Sequence, residues 1–575
     1  MKKNKLTTRM LLTVLALLGI VVWAFFLRIG AFPNHPASLY IDEIAMLVDA
    51  KALVTTGHDM HGNSWLQSLY PSYGDYKMPV YLWAVYLASL LFTPSAFSVR
   101  LPSLMAGFGT FVIVYALLRT LYTNKTPKHD TFRISAIGAG IATVVTLGFS
   151  PWAIQFSRTG FEAYLGQFIL GLAVLVLLRS KKRFQMLVLA MGLAALATYT
   201  YFSVRYVWIP IYLVWMVSQS NFITDPKAWM RVKNNIFLGL KLGLYLLVFL
   251  ILLLPLFKSA LYEASMQFRL STPSILQNHE QVVQANEYRT IAGDSLLDRV
   301  LFHRIYFTGQ VLAHNLSEQL SPRFIFITGD TNLRHGTGKY GLFLFPFMLP
   351  FCLGLYVLAR KRKWMLAILI TWIVSAALPA AVPLTVPHAL RFLNALIPFS
   401  VIISIGIYEG FTLFWNTKTH RTVKRSLVGL FGLIAVFYAA AFSCYYFSVY
   451  PKVSDDAWFR SQSELATAVS SYISPEQSLT LLGTPDKFYL WLLAYGPYSG
   501  TEFANWSTEQ YQFSEMDNVS FKVSEKYVDQ QHLLLPSEEY SEHFDETNSI
   551  QSRVTQEITL SNGKRFTLLT VQTTD

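Results

Sequence analysis

The sequence predicts an α-helical, multi-pass membrane protein with a small α/β domain at its C-terminal end. Three observations lead there. The 575 residues are 53% hydrophobic and only 14% charged, against roughly 25% charged in a soluble domain. Ten long apolar runs recur through residues 1–447, each about long enough to cross a ~30 Å hydrocarbon core as a helix. Charge is also segregated: residues 448–575 carry 18 acidic and 8 basic side chains, whereas the residues before them carry 39 basic and 16 acidic.

The first run, residues 10–27, follows Lys2, Lys3, Lys5 and Arg9. It resembles the charged and hydrophobic regions of a signal peptide, but it is long enough to span and no small-residue cleavage pattern follows, so an uncleaved first span with its N-terminus inside is expected. Further spans are expected at 101–118, 134–154, 163–178, 184–202, 236–257, 340–359, 364–384, 395–415 and 426–447, with a shorter one at 206–217. Residues 79–92 are apolar but number only 14, a helix of ~21 Å that falls short of the core. Keeping this stretch as a juxtamembrane helix places six basic segments inside (2–9, 119–133, 179–183, 227–233, 360–363 and 418–425), holding 23 of the 47 Lys and Arg residues. The positive-inside rule favours that arrangement. About eleven spans result, with a transmembrane domain over 1–447 and an extracytoplasmic domain over 448–575.

The net charge of +13 and pI near 9.4 therefore reflect inner-loop cations and do not call for a nucleic-acid partner. Cys352 and Cys444 both lie in apolar runs, which excludes a disulfide framework and a thiolate metal site. In the C-terminal part, a helix at 461–472, a strand at 478–482, a helix at 487–495 and a hairpin around Asn562-Gly563 predict the α/β unit, Asn-Gly being a type I′ turn signal. Residues 505–548 are polar enough to be mostly loop.

Four segments are expected outside: 30–99, 157–162, 258–339 and 448–575. In the first, Asp42-Glu43 precedes an apolar stretch that ends at Thr56-Gly57. Asp42 is expected as the N-cap of a helix closed by Gly57, and amide donors at a helix start keep a carboxylate ionised, as a general base requires. Glu43 beside it reads as a first-turn acid and shares the candidate site. Lys77, in Asp75-Tyr76-Lys77-Met78-Pro79, is a snorkelling anchor or a contact for a lipid-linked phosphate. Arg158 and Glu162 stand four residues apart, so an internal ion pair competes with a functional role. Arg334-His335 closes the large loop and His388 and Arg391 lie in a later turn; cations there suit a phosphate leaving group. The two histidines could equally ligate metal, although no HxH or HExxH spacing backs it. No glycine-rich nucleotide loop is found.

Together, the acidic pair in the first loop, the Lys77-Met78-Pro79 turn, "FSVRLPSLMAGFGT" (97–110), "SPWAIQFSRTGFEA" (150–163) and "PHALR" (387–391) resemble GT-C membrane glycosyltransferases. The bacterial branch related to protein O-mannosyltransferases and lipid A aminoarabinose transferase is the one they look like. The resemblance covers residues 10–447 and implies an inverting transferase that moves a hexose or pentose from a polyprenyl-phosphate donor to a hydroxyl on an outer-face protein, lipid or cell-wall polymer. Such an enzyme sits in a bacterial cytoplasmic membrane. Asp42 matches the family's catalytic Asp, Lys77 the Lys of its "KPP" motif with Met78 replacing the first Pro, and Glu162 its acidic position after the third span. Arg158, Arg334, His335, His388 and Arg391 join Lys77 as expected phosphate contacts. The family's Asp-x-Asp metal motif does not occur at Gly160-Phe161-Glu162, so no metal ligand is assigned; a divalent ion is compatible with the chain but not required by it.

The competing reading is a flippase or transporter of polyprenyl-linked glycans. It predicts ionisable groups near the midplane, where only Lys241 and Glu409 interrupt the apolar runs. The topology makes a direct prediction: with Cys352 and Cys444 removed, a cysteine introduced at Ala96 is labelled by an impermeant reagent from outside. Labelling from inside contradicts the eleven-span arrangement.

Overall fold

Helix dominates the computed structural model, which describes residues 2–123, 134–180, 183–218, 232–271, 274–277, 279–416, 420–473, 479–500, 502–505, 515–516, 519–521, 532–538 and 550–573. The expected inner segments at 119–133, 227–233 and 418–425 fall partly outside these residues, as does most of the loop expected over 505–548. The chain divides into two units, Met1–Gly30 with Ser103–Phe447 and Ala31–Pro102 with Ser448–Asp575. The segment read as the first loop of the membrane domain thus forms one unit with the C-terminal residues.

Among the described residues, five helices are long and apolar enough to cross a membrane, six if a bent pair counts as one span. The five are Ala96–Tyr122, Glu162–Arg179, Lys363–Ala381, Leu393–Trp415 and Arg421–Val453. Shorter apolar helices cover Thr13–Ile29, Phe184–Thr198, Val204–Ser218 and Gly243–Leu252. The chain is therefore a helical membrane protein, though many of its expected spans are shorter than full length. Only 11% of the Arg421–Val453 window is buried, so that helix turns nearly its whole apolar surface outward. The large loop expected over 258–339 is itself helical, with Ala260–Ser271, Glu280–Ala292, Leu296–Leu301 and Arg304–Gln319.

Two expected spans differ from the sequence reading. The run 134–154 breaks into Ala136–Gly148 and Pro151–Ser157, bent by 74°. The cause is local: Pro151 cannot continue a helix but suits the first turn of a new one, and Ser150 caps that turn by accepting the Ala153 N–H at 3.2 Å. The run 340–359 becomes helical only at Phe345–Phe347 and Met348–Lys361, leaving residues before it as loop. Met348–Lys361 packs backbone to backbone against Leu396–Trp415. A Cβ on Gly406 would sit 1.7 Å from the Pro350 carbonyl oxygen, and one on Gly354 2.0 Å from that of Ile402. Small residues permit this approach, as between other membrane helices.

The second unit is built on the helix Ile41–Thr56. Ten of its 16 residues are buried, on every side, the mark of a helix enclosed by its own domain. Gly57 closes it in the left-handed region at φ 75°, as expected, but Tyr40 is the N-cap, not Asp42. The helix packs against Pro79–Leu91, whose 13 residues begin at a proline, and against Tyr489–Tyr495. Lys51 donates to the Leu493 and Ala494 carbonyls at 2.8 and 3.1 Å, a cation on the last turn of that helix.

A six-stranded mixed sheet completes the unit. Its strands are β3 (Leu479–Leu481), β4 (Glu515–Met516), β5 (Val519–Ser520), β6 (His532–Pro536), β7 (Ile550–Thr559) and β8 (Arg565–Thr573), in the order β4-β5-β3-β6-β8-β7. Strands β1 (Tyr70–Pro71) and β2 (Tyr76–Lys77) form a separate antiparallel pair. The β7–β8 hairpin turns at Asn562-Gly563 with Gly563 at φ 83°, and the helix Arg460–Ser470 precedes β3, so this sheet-and-helix unit follows the expected pattern.

One buried ion pair fixes the start of the central helix. Arg100 donates its Nε and Nη2 to the two Glu43 oxygens, both at 2.9 Å. Its remaining hydrogens go to the carbonyls of Pro33, Pro36 and Ser38 at 2.6, 2.8 and 2.5 Å. Glu43 also accepts the Tyr40 N–H at 3.2 Å. With Glu43 and Arg100 both out of solvent, removing one partner strands the other charge. Glu43→Ala is expected to cost about 3–5 kcal/mol, read as a lower midpoint of thermal unfolding in detergent. An unchanged midpoint contradicts this anchoring role.

Candidate active site

Successive helix residues point about 100° apart, so anchoring Glu43 inward turns Asp42 to a different neighbour. That neighbour arrives on the β1–β2 hairpin, where the turn Ser72-Tyr73-Gly74-Asp75 is closed by the Ser72 N–H donating to the Asp75 carbonyl at 2.8 Å. Gly74 supplies the positive φ, 95°, that the turn needs. The hairpin carries two groups to Asp42. Lys77 forms an ion pair with Asp42 and donates to Asp75 at 3.4 Å, and the Tyr73 hydroxyl donates to the same Asp42 oxygen. Lys77 and Lys487 lie 5.6 and 4.8 Å from the Tyr73 ring centre.

The pair is enclosed but not sealed: the Asp42 side chain keeps 25% of its surface accessible and Lys77 keeps 10%. Burial alone pushes the Asp42 carboxyl upward. The Lys77 charge and hydrogen bond, with those from Tyr73 and Tyr40, outweigh it and hold the group below the ordinary carboxylate value. Burial and the Asp42 charge push the Tyr73 phenol well above its usual range, so it remains a donor. The result is an accessible, ionised carboxylate beside a cation, the elements of a general base and an anion contact.

The other expected site residues divide sharply. Glu43 offers no oxygen to a substrate, since both bind the buried Arg100; it is structural rather than catalytic. Arg158 is likewise corrected. It is fully buried and donates to the carbonyls of Leu27, Arg28 and Gly30 at 3.1, 2.7 and 2.6 Å, capping the end of the first helix instead of facing a phosphate. Arg28 caps the Ala136–Gly148 helix in the same way, through Leu147 and Gly148. Glu162 begins the helix Glu162–Arg179, half-buried, at its positive end.

Arg334, His335, His388 and Arg391 lie in the first unit, on two loops that Asp330 ties together. The Asp330 carboxylate accepts the N–H of Asn332 at 2.8 Å and of Ala389 at 2.7 Å, and His388 N–H donates to Gln319 at 2.9 Å. The two imidazoles stack at 4.6 Å. Burial first, then the neighbouring His335, Arg391 and Arg334 charges, lower the His388 pKa to about 3, leaving it neutral at physiological pH. Burial opposes ionisation of Asp330, but His335 and the backbone amides prevail and lower its pKa.

A third cluster was not read from the sequence. Asp49, Asp59 and His61 in the second unit bring one ligand atom each within 4.8 Å of one another. Burial and mutual repulsion push the Asp49 carboxyl well up, and burial raises Asp59. Asp59 accepts the N–H groups of His61 and Asn63 at 3.0 and 2.7 Å, and Asp49 accepts that of Met60 at 3.1 Å. Tyr73, Arg100 and Asp330 were also unassigned in sequence. Tyr73 had a signal, a Tyr-Gly-Asp turn four residues before Lys77, which places both on one hairpin; Arg100 stands in the motif of 97–110 and Asp330 four residues before Arg334, but their partners are 57 and 59 residues away.

No protein-family model and no curated protein matches the chain. Solved structures of similar shape exist. ArnT from Cupriavidus metallidurans bound to undecaprenyl phosphate is 12% identical, covers 98% of both chains and gives a TM-score of 0.49. The archaeal oligosaccharyltransferase AglB from Archaeoglobus fulgidus, in complex with an inhibitory peptide and a dolichol-phosphate, is 12% identical at a TM-score of 0.43, over 92% of this chain and 69% of that one. At this identity neither structure says which side chains act here.

Burial raises the Asp42 pKa, and the Lys77 charge and hydrogen bond lead the influences that oppose it. Lys77→Met is therefore expected to move the Asp42 pKa upward, followed as the carboxyl infrared band that disappears in Asp42→Asn. In the wild type the lowered pKa contributes stability above the unfolded-state value, lost as pH falls through the folded-state value. A carboxyl band that titrates identically with and without Lys77 contradicts the electrostatic account.

Proposed function

We propose that this chain is an inverting membrane glycosyltransferase, using a polyprenyl-phosphate sugar and an acceptor hydroxyl at the outer face of the membrane. The observation that supports it most is the accessible, ionised Asp42 held by Lys77. The motif resemblance points to the same two residues.

In the proposed step the acceptor oxygen bonds to the anomeric carbon as the bond from that carbon to the phosphate oxygen breaks. The acceptor proton passes to Asp42, and the leaving phosphate takes the electron pair of the broken bond. Lys77 meets the growing negative charge on the phosphate. An ammonium has three rotatable donors and no fixed fork, so Lys77 can shift from Asp42 towards an incoming phosphate. That shift removes a competing cation from the base as the reaction begins. A carboxylate with a pKa below ~3.9 is a weak base, so holding the acceptor in line must supply much of the acceleration. Arg334 and Arg391 belong to the other unit and enter no step of this scheme.

A lipid-linked donor also accounts for the lack of a nucleotide loop, because it reaches the protein by lateral diffusion. The short helix Pro79–Leu91 suits that route. It follows Lys77 directly and leaves Leu87, Leu90, Leu91 and Phe92 exposed, an apolar edge fit for the membrane interface.

The test is transfer from radiolabelled polyprenyl-phosphate sugars in membranes. Asp42→Asn, nearly isosteric, is expected to lose about 10²–10⁴-fold in rate with unchanged expression and thermal midpoint. Normal turnover by that variant removes Asp42 from the mechanism.

A further inference from the structure

We propose that Asp330, His335 and His388 bind a divalent transition-metal ion of the zinc class, joining the loop after the π-helical turn Arg323–Ile327 to the Pro387–Arg391 turn. The three side chains each bring one ligand atom within 4.8 Å of the others. One carboxylate and two imidazoles are a donor set that zinc, cobalt and nickel accept readily.

Two details argue for an ion over a simple polar cluster. His335 Nδ1 is buried and has no hydrogen-bond partner among the described residues, with its side chain only 10% exposed. It stands 3.7 Å from Asp330 Oδ2, too far for a hydrogen bond. Two ligands each ~2.0–2.2 Å from a tetrahedral zinc ion lie about 3.3–3.6 Å from one another, so the separation is close to what a shared metal imposes.

The second detail is the support behind the ligands. Asp330 is oriented by the Asn332 and Ala389 amides and the His388 backbone by Gln319, while the Phe161 ring lies 5.8 Å from the His335 ring. Such outer contacts are what hold metal ligands in register. Three protein ligands leave a fourth position open to water or an anion.

The proposal stands apart from the transfer scheme, which uses other residues. Its test uses full-length detergent-purified protein treated with a chelator, then titrated with Zn²⁺ against a chromogenic competitor. One equivalent is expected, with affinity falling about tenfold or more in His335→Gln and in His388→Gln but unchanged in Asp49→Asn. Equal binding by all four proteins, binding lost only in Asp49→Asn, or no binding by the wild type overturns it. Should the histidine variants fail to fold, Co²⁺ added to the wild type decides: visible d–d bands of a four- or five-coordinate site support the proposal, and their absence overturns it.

Discussion

A carboxylate withdrawn from water stays ionised only where a positive charge meets it, and the Asp42–Lys77 pair is where this protein satisfies that demand. Much of the second unit serves the pair. Arg100 clamps Glu43 and three backbone carbonyls of residues 33–38 at once, which sets the angle of the helix that carries Asp42. A glycine-dependent turn returns β2 alongside β1 and delivers Lys77 with Tyr73. Pro79 then starts the next helix within two residues of Lys77, so the lysine backbone is held from both sides. Without the clamp, Asp42 has no fixed direction; without the hairpin, it has no counter-ion.

Much of this was legible in the sequence. The apolar runs and the basic segments between them indicate a helical membrane protein, Gly57 and Asn562-Gly563 mark their turns, and Asp42 and Lys77 stand towards the two ends of one loop. What escaped reading has physical causes. Asp42 reads as an N-cap by residue type, yet the helix is capped two residues earlier, at Tyr40, because Glu43, three residues after Tyr40, takes the capping amide and the Arg100 fork together. Glu43 and Arg158 read as site residues because charge near a membrane boundary is usually functional. Their burial and their hydrogen bonds, Glu43 to Arg100 and Arg158 to the carbonyls at the end of the first helix, show instead that they clamp and cap. The break at Ser150-Pro151 was visible as a Ser-Pro pair, but a hydropathy run passes straight through it.

The ionisable group expected of a transporter has a structural explanation. Glu409 is buried, accepts from Tyr122 at 3.2 Å and pairs with Lys361 at 3.2 Å. Lys361 belongs to one of the basic segments assigned to the inner side, so the pair reads as a neutralised anchor at a helix end and not as a station on a transport path. The helix Ile41–Thr56 tells a parallel story. It is buried on every side, and 16 residues with two acids in the first turn and Asp49 and Lys51 further along suit burial in a domain better than exposure to lipid.

The account turns on whether Asp42 and Lys77 act as one device. A double-mutant cycle on the transfer rate, comparing wild type, Asp42→Asn, Lys77→Met and the double variant, measures that directly. Groups that act as a unit give strongly non-additive losses, so the double variant should be scarcely slower than the worse single one. Losses that multiply independently would contradict the claim that Asp42 and Lys77 act as one device.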